Sequence, residues 1–229
     1  MPYYKTPIAA GFAALASLLV AASVSAGEVS RDDYADMNPE ELANYLIFEA
    51  KGFHLDQKTQ EGATVRDRLT QDELQKKCSK EESGGSIDSE TLNEVRKMAQ
   101  ESIEYPEGGI KLGDWKEGEK IAKSGYGYRV GHKVDDHSKR PPGGNCYACH
   151  EMSPDVMAFG TLGPSLKAYG KNRGTGEAMK KYTYKAIYNP HTTFPCTQMP
   201  RFGANGVLTQ EQIADVMAYL MDPESPVNQ

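Results

Sequence analysis

Residues 143–154, GGNCYACHEMSP, decide how this chain is read. They hold Cys146, Cys149 and His150 in the pattern C-x-x-C-H, which takes two of the chain's four cysteines and one of its five histidines. Three chemistries use so close a cysteine pair. A dithiol oxidoreductase sets C-x-x-C at a helix start, normally inside an α/β fold, and the sequence has no βαβ pattern. A structural zinc ion needs four ligands. Cys146, Cys149 and His150 would supply three, but the adjacent Cys149 and His150 reach one ion tetrahedrally only with difficulty. In covalent haem attachment each thiol adds to one vinyl group and the histidine binds iron axially. The residues favour this third reading, with a dithiol and a zinc site as its alternatives. One pentapeptide implies one haem c.

A second axial ligand is then required. Met152 and Met157 follow the histidine too soon to cross easily to the opposite haem face. Met217 and Met221 fall on the apolar stripe of the last predicted helix, and Met179 sits among lysines. Met199 lies in NPHTTFPCTQMPRFGANG, an irregular segment followed by Pro200, and such a loop can deliver a side chain without serving a helix pattern. Met199 is therefore expected as the distal ligand, since a thioether suits a His/Met cytochrome. His191 and Cys196 are the competing ligands nearby, and a core methionine is the commoner role. Gly163-Pro164 is expected to turn a backbone carbonyl toward the His150 nitrogen that is not on iron. That bond would orient the ring and raise its basicity; an ordinary turn is the alternative.

The pentapeptide is flanked by two predicted helices. One runs roughly from Trp115 to Lys123, with Asp114 as cap, Glu117 completing a capping box, and an end near Gly125. Gly118 and Ala122 share a face there, and a mid-helix glycine is best tolerated where another helix approaches closely. The other is VLTQEQIADVMAYLMDP, with a Thr209/Gln212 capping box, a stripe of Ile213, Val216, Met217, Leu220 and Met221, and a stop at Pro223. A small helical domain built around a cofactor fits this order better than a sheet.

Upstream, three helical stretches are expected. MNPEELANYLIFEAKGF has Asn38 to cap, Pro39 at the first position and Leu42, Tyr45, Leu46 and Glu49 at helical spacing. TVRDRLTQDELQKKCSK offers Val65, Leu69, Leu74 and Cys78. IDSETLNEVRKMAQESI offers Leu92, Val95, Met98, Ala99 and Ile103. All three are highly charged outside their stripes, as solvated helices packed over something larger would be.

The chain begins with Lys5, an apolar run from about Ile8 to Ala22 and the small residues Val24-Ser25-Ala26, the layout of a secretory signal peptide cleaved after Ala26. The run is shorter than the ~20 apolar residues a membrane span needs, so no membrane anchor is expected after cleavage. Loss of Lys5 moves the net charge from −6 to −7. A modestly acidic exported protein is a poor partner for nucleic acid, and its cysteines meet an oxidising compartment.

From about Leu112 to Asp222 the order of elements resembles class I cytochrome c: capped helix, C-x-x-C-H, Gly-Pro, methionine loop, closing amphipathic helix. The C-terminal text MPRFGANGVLTQEQIADVMAYLMDPESPVN is similar to the end of the SoxX family, the small cytochrome subunits of the SoxAX complex in thiosulfate oxidation. The resemblance implies a mainly α fold. It divides the chain into a signal peptide at 1–26, a helical extension at 27–109 and a class I cytochrome c domain at 110–229. It implies a periplasmic electron-transfer subunit paired with a SoxA-like cytochrome. The partner would conjugate thiosulfate to a carrier-protein cysteine, as an L-cysteine S-thiosulfotransferase. This chain would pass the electrons to a soluble cytochrome c and do no substrate chemistry itself. Carried onto these residues, Cys146 and Cys149 hold the haem, with His150 and Met199 axial. Cys78 and Cys196 then remain, and one intramolecular disulfide is the pairing open to them. The competing readings are a free-standing respiratory electron shuttle and an exported module with a structural metal.

Overall fold

The structure is a computed structural model that describes residues 34–59, 62–82, 86–128, 130 and 137–229. The expected signal segment, 1–26, lies outside the described residues, as does the start of the extension. Residues Met37–Gln229 form one compact unit. Among the described residues the regular structure is helical, apart from one isolated antiparallel bridge between Lys58 and Thr64. The fold is mainly α, as expected.

Helix α1, Pro39–Asn44, starts with a reciprocal box: Asn38 accepts from the Glu41 N–H and Glu41 accepts from the Asn38 N–H, each at 3.0 Å. It runs on into a π-helical turn, Tyr45–Glu49. The stripe expected here does not enter a core. Neither segment buries a residue, and Leu46 remains exposed.

The second expected stretch is two helices, α2 (Val65–Leu69) and α3 (Glu73–Glu82). Two capping boxes lie within it. Thr64 caps α2 with Asp67. Asp72 then accepts from the Gln75 N–H at 2.8 Å while Gln75 accepts from the Asp72 N–H at 3.0 Å. The second box starts a new helix, so the first ends at Thr70, which is extended. Helix α4, Ser89–Glu101, is capped by Asp88 and buries Val95 and Ala99 against Leu74 of α3.

Helices α5 (Trp115–Lys123), α6 (Tyr169–Arg173), α7 (Glu177–Tyr188) and α8 (Gln210–Met221) surround the main core. The Thr209/Gln212 box starts α8 as the sequence predicts. Because α5, α6 and α7 all pack on α8, burial spreads beyond its stripe to Ala218 and Tyr219. Each large apolar side chain buried here contributes roughly 1.5–3 kcal/mol. Asn228 closes the domain: its side-chain oxygen accepts from the Gly170 N–H, and its amide donates to the carbonyls of Leu220 and Asp222.

The α5–α8 crossing is set by backbone contact. A β-carbon on Gly118 would overlap the Asp215 backbone and lie 2.9 Å from Tyr219 Cβ. The box expected between Asp114 and Glu117 does not form. Asp114 accepts from the Lys116 N–H at 2.8 Å, but its own N–H donates to the Asp215 carboxylate at 2.8 Å. Glu117 pairs with Lys120 instead, at 2.6 Å.

Candidate functional site

The C-x-x-C-H segment is suspended from the end of α5. The Gly144 N–H donates to Ile121 O and the Asn145 N–H to Ser124 O, each at 2.9 Å. Asn145 is left-handed, with φ 46°, a conformation asparagine tolerates better than most residues. A short 3-10 turn, Cys146–Ala148, follows, and the His150 N–H closes it by donating to Cys146 O at 2.9 Å.

Tyr147, between the two cysteines, is buried. Its hydroxyl lies 2.6 Å from that of Tyr219 on α8 and accepts from the Ser153 N–H at 3.2 Å. The loop after the histidine folds back on the same turn. Gly160 N–H donates to Tyr147 O, Gly163 N–H to Cys149 O and Leu166 N–H to Glu151 O, at 2.8, 2.8 and 2.7 Å.

His150 Nδ1 lies 2.8 Å from Pro164 O. A carbonyl only accepts, so Nδ1 carries the proton and donates, and the lone pair of Nε2 is left for a metal. Gly163 lies so close beneath the imidazole that a β-carbon there would overlap it. The Gly-Pro pair therefore acts twice: glycine makes room for the ring, and proline's carbonyl orients it.

Met199 is half-buried against the main core, as is Cys146. Its loop leaves α7 through a 3-10 turn, Pro190–Thr192, and re-joins α7 where the Gly203 and Ala204 N–H groups donate to Tyr188 O. The other methionines are placed differently. Met152, Met217 and Met221 are buried and Met157 is exposed. The Met179 sulfur accepts from the Tyr169 hydroxyl at 3.8 Å.

Both competitors of Met199 are engaged elsewhere. Cys196 is disulfide-bonded to Cys78, with Cα atoms 5.1 Å apart. His191 is buried, and its Nδ1 accepts from the Cys196 N–H at 2.9 Å. Burial first, and then the Arg201 guanidinium, hold the His191 pKa down at about 4, so the ring is neutral.

The donor set fits thioether-bound haem better than its alternatives. Cys146 and Cys149 are free thiols. Burial pushes Cys146 up to about 12, whereas dithiol catalysis needs a low-pKa thiolate. A thioether carries no charge and suits the same surroundings. Among the described residues, no three His, Cys, Asp or Glu side chains converge as a zinc ion would require.

Sequence reasoning missed the Tyr147–Tyr219 pair and the polar contacts from the extension to the methionine loop. The tyrosine inside C-Y-A-C-H was the one available signal for the first; nothing local marked the second.

Comparison with known proteins agrees with this chemistry. Residues 138–222 match the family described as Cytochrome c. The chain is also 43% identical over 158 residues to an "Uncharacterized lipoprotein" of Aquifex aeolicus (strain VF5), an alignment covering 69% of this chain and 73% of that relative. With the helical architecture, the match identifies a class I cytochrome c fold.

Proposed function

For this chain, whose residues 138–222 form a cytochrome c domain, we propose the role of a periplasmic, one-haem electron-transfer subunit of a SoxAX-type complex. The carrying observation is the His150–Pro164 contact beside the two free cysteines of the pentapeptide: it leaves one imidazole nitrogen for iron and two thiols for the vinyl groups. Bound haem c supplies a one-electron ferric/ferrous couple.

Every other part of the task falls to the chain. Cys146 and Cys149 hold the group covalently. His150 would bind the iron through Nε2, oriented by Pro164, and Met199 would supply the second protein ligand, a thioether that favours a higher potential than a harder donor. With two protein ligands on the iron, substrate would have no coordination site, so transfer would be outer-sphere and the sulfur chemistry would fall to the partner.

The Sox assignment rests on the C-terminal text from about Asn189 to Asn228. In this reading a SoxA-like cytochrome conjugates thiosulfate to a carrier cysteine, and this chain passes the electrons to a soluble cytochrome c. Export follows from the N-terminal signal layout, and the Aquifex relative's description as a lipoprotein accords with it. No described helix is long and apolar enough to cross a membrane.

Reconstitution tests the proposal. The purified holoprotein alone should cycle between oxidised and reduced states without consuming thiosulfate. With a SoxA-like cytochrome, a carrier protein and an electron acceptor, it should support thiosulfate conjugation. Thiosulfate turnover by the isolated chain would overturn the division of labour. Failure to bind any SoxA-like cytochrome would point to a free-standing electron shuttle.

A further inference from the structure

We propose that helix α3 of the extension is a clamp that holds Met199 in its axial position, with Cys78 and Asp72 as positioning residues. The inference rests on the reading of Met199 as distal ligand.

The loop that carries Met199 needs outside support. Between α7 and α8 the chain runs from 189 to 209 with one short 3-10 turn. Between Cys196 and Arg201 its own bonds are few and long: Thr197 N–H to Phe194 O at 3.2 Å, and Met199 N–H to Thr197 Oγ1 at 3.4 Å. A stretch with so little internal bonding opens locally at low cost unless its two ends are held. A neutral thioether holds iron only as firmly as its loop holds the thioether.

Both flanks of Met199 are tied to the same helix. Three residues before it, Cys196 is bonded to Cys78 of α3. Two residues after it, Arg201 Nη2 lies 2.7 Å from Asp72 Oδ2, with the arginine side chain only 10% exposed. Asp72 also caps α3 through its other oxygen, so one carboxylate orients the helix and grips the loop. Cys196 has a left-handed backbone, φ 58°, which is unfavourable for a non-glycine residue. The disulfide and the bond from its N–H to His191 hold it there.

The clamp is itself braced. Helix α3 packs on α4 through Leu74, Val95 and Ala99, and Lys77 pairs with Glu94 at 2.6 Å. The end of α4 meets the cytochrome domain where Ser102 Oγ accepts from Asn189 Nδ2 at 2.9 Å. Just beyond, Glu104 O accepts from the Tyr184 hydroxyl at 2.7 Å. The loop is thus fixed to a scaffold anchored at both ends.

The test is the rate at which imidazole displaces the distal ligand in the ferric holoprotein. Asp72→Asn keeps the helix cap, since asparagine caps well, and keeps the disulfide, but loses the ion pair. Cys78→Ala/Cys196→Gly removes the covalent tie while allowing the left-handed backbone. Each should speed imidazole entry, the cysteine pair by roughly tenfold, because entry follows local opening of the loop. Ile213→Val, a core change in α8, serves as a control that lowers thermal stability without touching the clamp. Exchange in both clamp variants at the wild-type rate, or no faster than in the control, would overturn the proposal. Met199→Ala separates this from the underlying reading. If the ferric charge-transfer band of thioether ligation survives in Met199→Ala, the ligand assignment fails. If it is lost there while the clamp variants exchange at the wild-type rate, only the clamp fails.

Discussion

Gly118 of α5 lies directly against the backbone of Asp215 in α8, with no room for a β-carbon between them. This contact fixes how far apart the two helices stand, and the site depends on both. The end of α5 suspends the C-x-x-C-H turn, and α8 supplies Tyr219, which meets Tyr147 inside it.

Gly118→Ala therefore tests packing against propensity. Alanine would favour the isolated helix by about 1 kcal/mol. Overlap with the Asp215 backbone should instead destabilise the holoprotein by roughly 1–3 kcal/mol or more, because backbone cannot swing aside as a side chain can. Thermal or urea unfolding followed by circular dichroism checks the sign. A stabilised variant would show that the crossing is looser than described.

Gly163→Ala should disturb His150, the proposed proximal ligand, without touching a donor atom. Its β-carbon would overlap the His150 ring, so the ring must tilt and the bond to Pro164 O must lengthen. The expected result is less haem-loaded protein per chain and a higher reduction potential in what is loaded, since a weakened Nδ1 bond leaves the imidazole less basic and less able to favour ferric iron. Wild-type loading and potential would mean the ring has another resting place.

The buried hydroxyl pair gives a double-mutant cycle. Tyr147→Phe strips a partner from both the Tyr219 hydroxyl and the Ser153 N–H. Leaving buried polar groups unpaired should cost about 1–3 kcal/mol. Tyr219→Phe leaves Ser153 satisfied and should cost less. Because the two hydroxyls share one interaction, the double variant should lose less than the sum of the singles. Strict additivity in urea unfolding would deny the contact.

His191 predicts an acid-side loss of stability. Burial holds its folded pKa at about 4, below the ordinary 6.5. The unfolded chain therefore binds a proton that the folded chain refuses. The contribution is complete above pH 6.5, shrinks as pH falls toward about 4 and is constant below that. Its full size is on the order of 3 kcal/mol. Arg201 opposes charging of the ring and Asp72 favours it. His191→Asn keeps an acceptor for the Cys196 N–H but cannot titrate, so it should flatten the slope of unfolding free energy between pH 4.5 and 6.5. An unchanged slope would show that other groups carry the dependence.

What the sequence by itself determined is what lies within a few residues along the chain. Asn38 and Thr209 are legible as caps because a capping bond spans three residues. The pentapeptide names its own donors, and the α8 stripe follows from helical period. The start of α3 was equally local, since Asp72 and Gln75 form a box within what reads as one stretch. What only the tertiary structure decided is competition among distant groups. Glu117 would have taken the Asp114 N–H, but Asp215, 101 residues away in sequence, takes it. The stripe of α1 is no more than partly buried and joins neither core cluster among the described residues, which periodicity does not reveal. Arg201 and Asp72 are 129 residues apart and Cys196 and Cys78 are 118 apart. No pattern along the chain records that both ties reach one helix. Periodicity and spacing report which bonds a segment can make for itself, whereas the partner that wins a given donor or fills a given gap depends on which surfaces folding brings together.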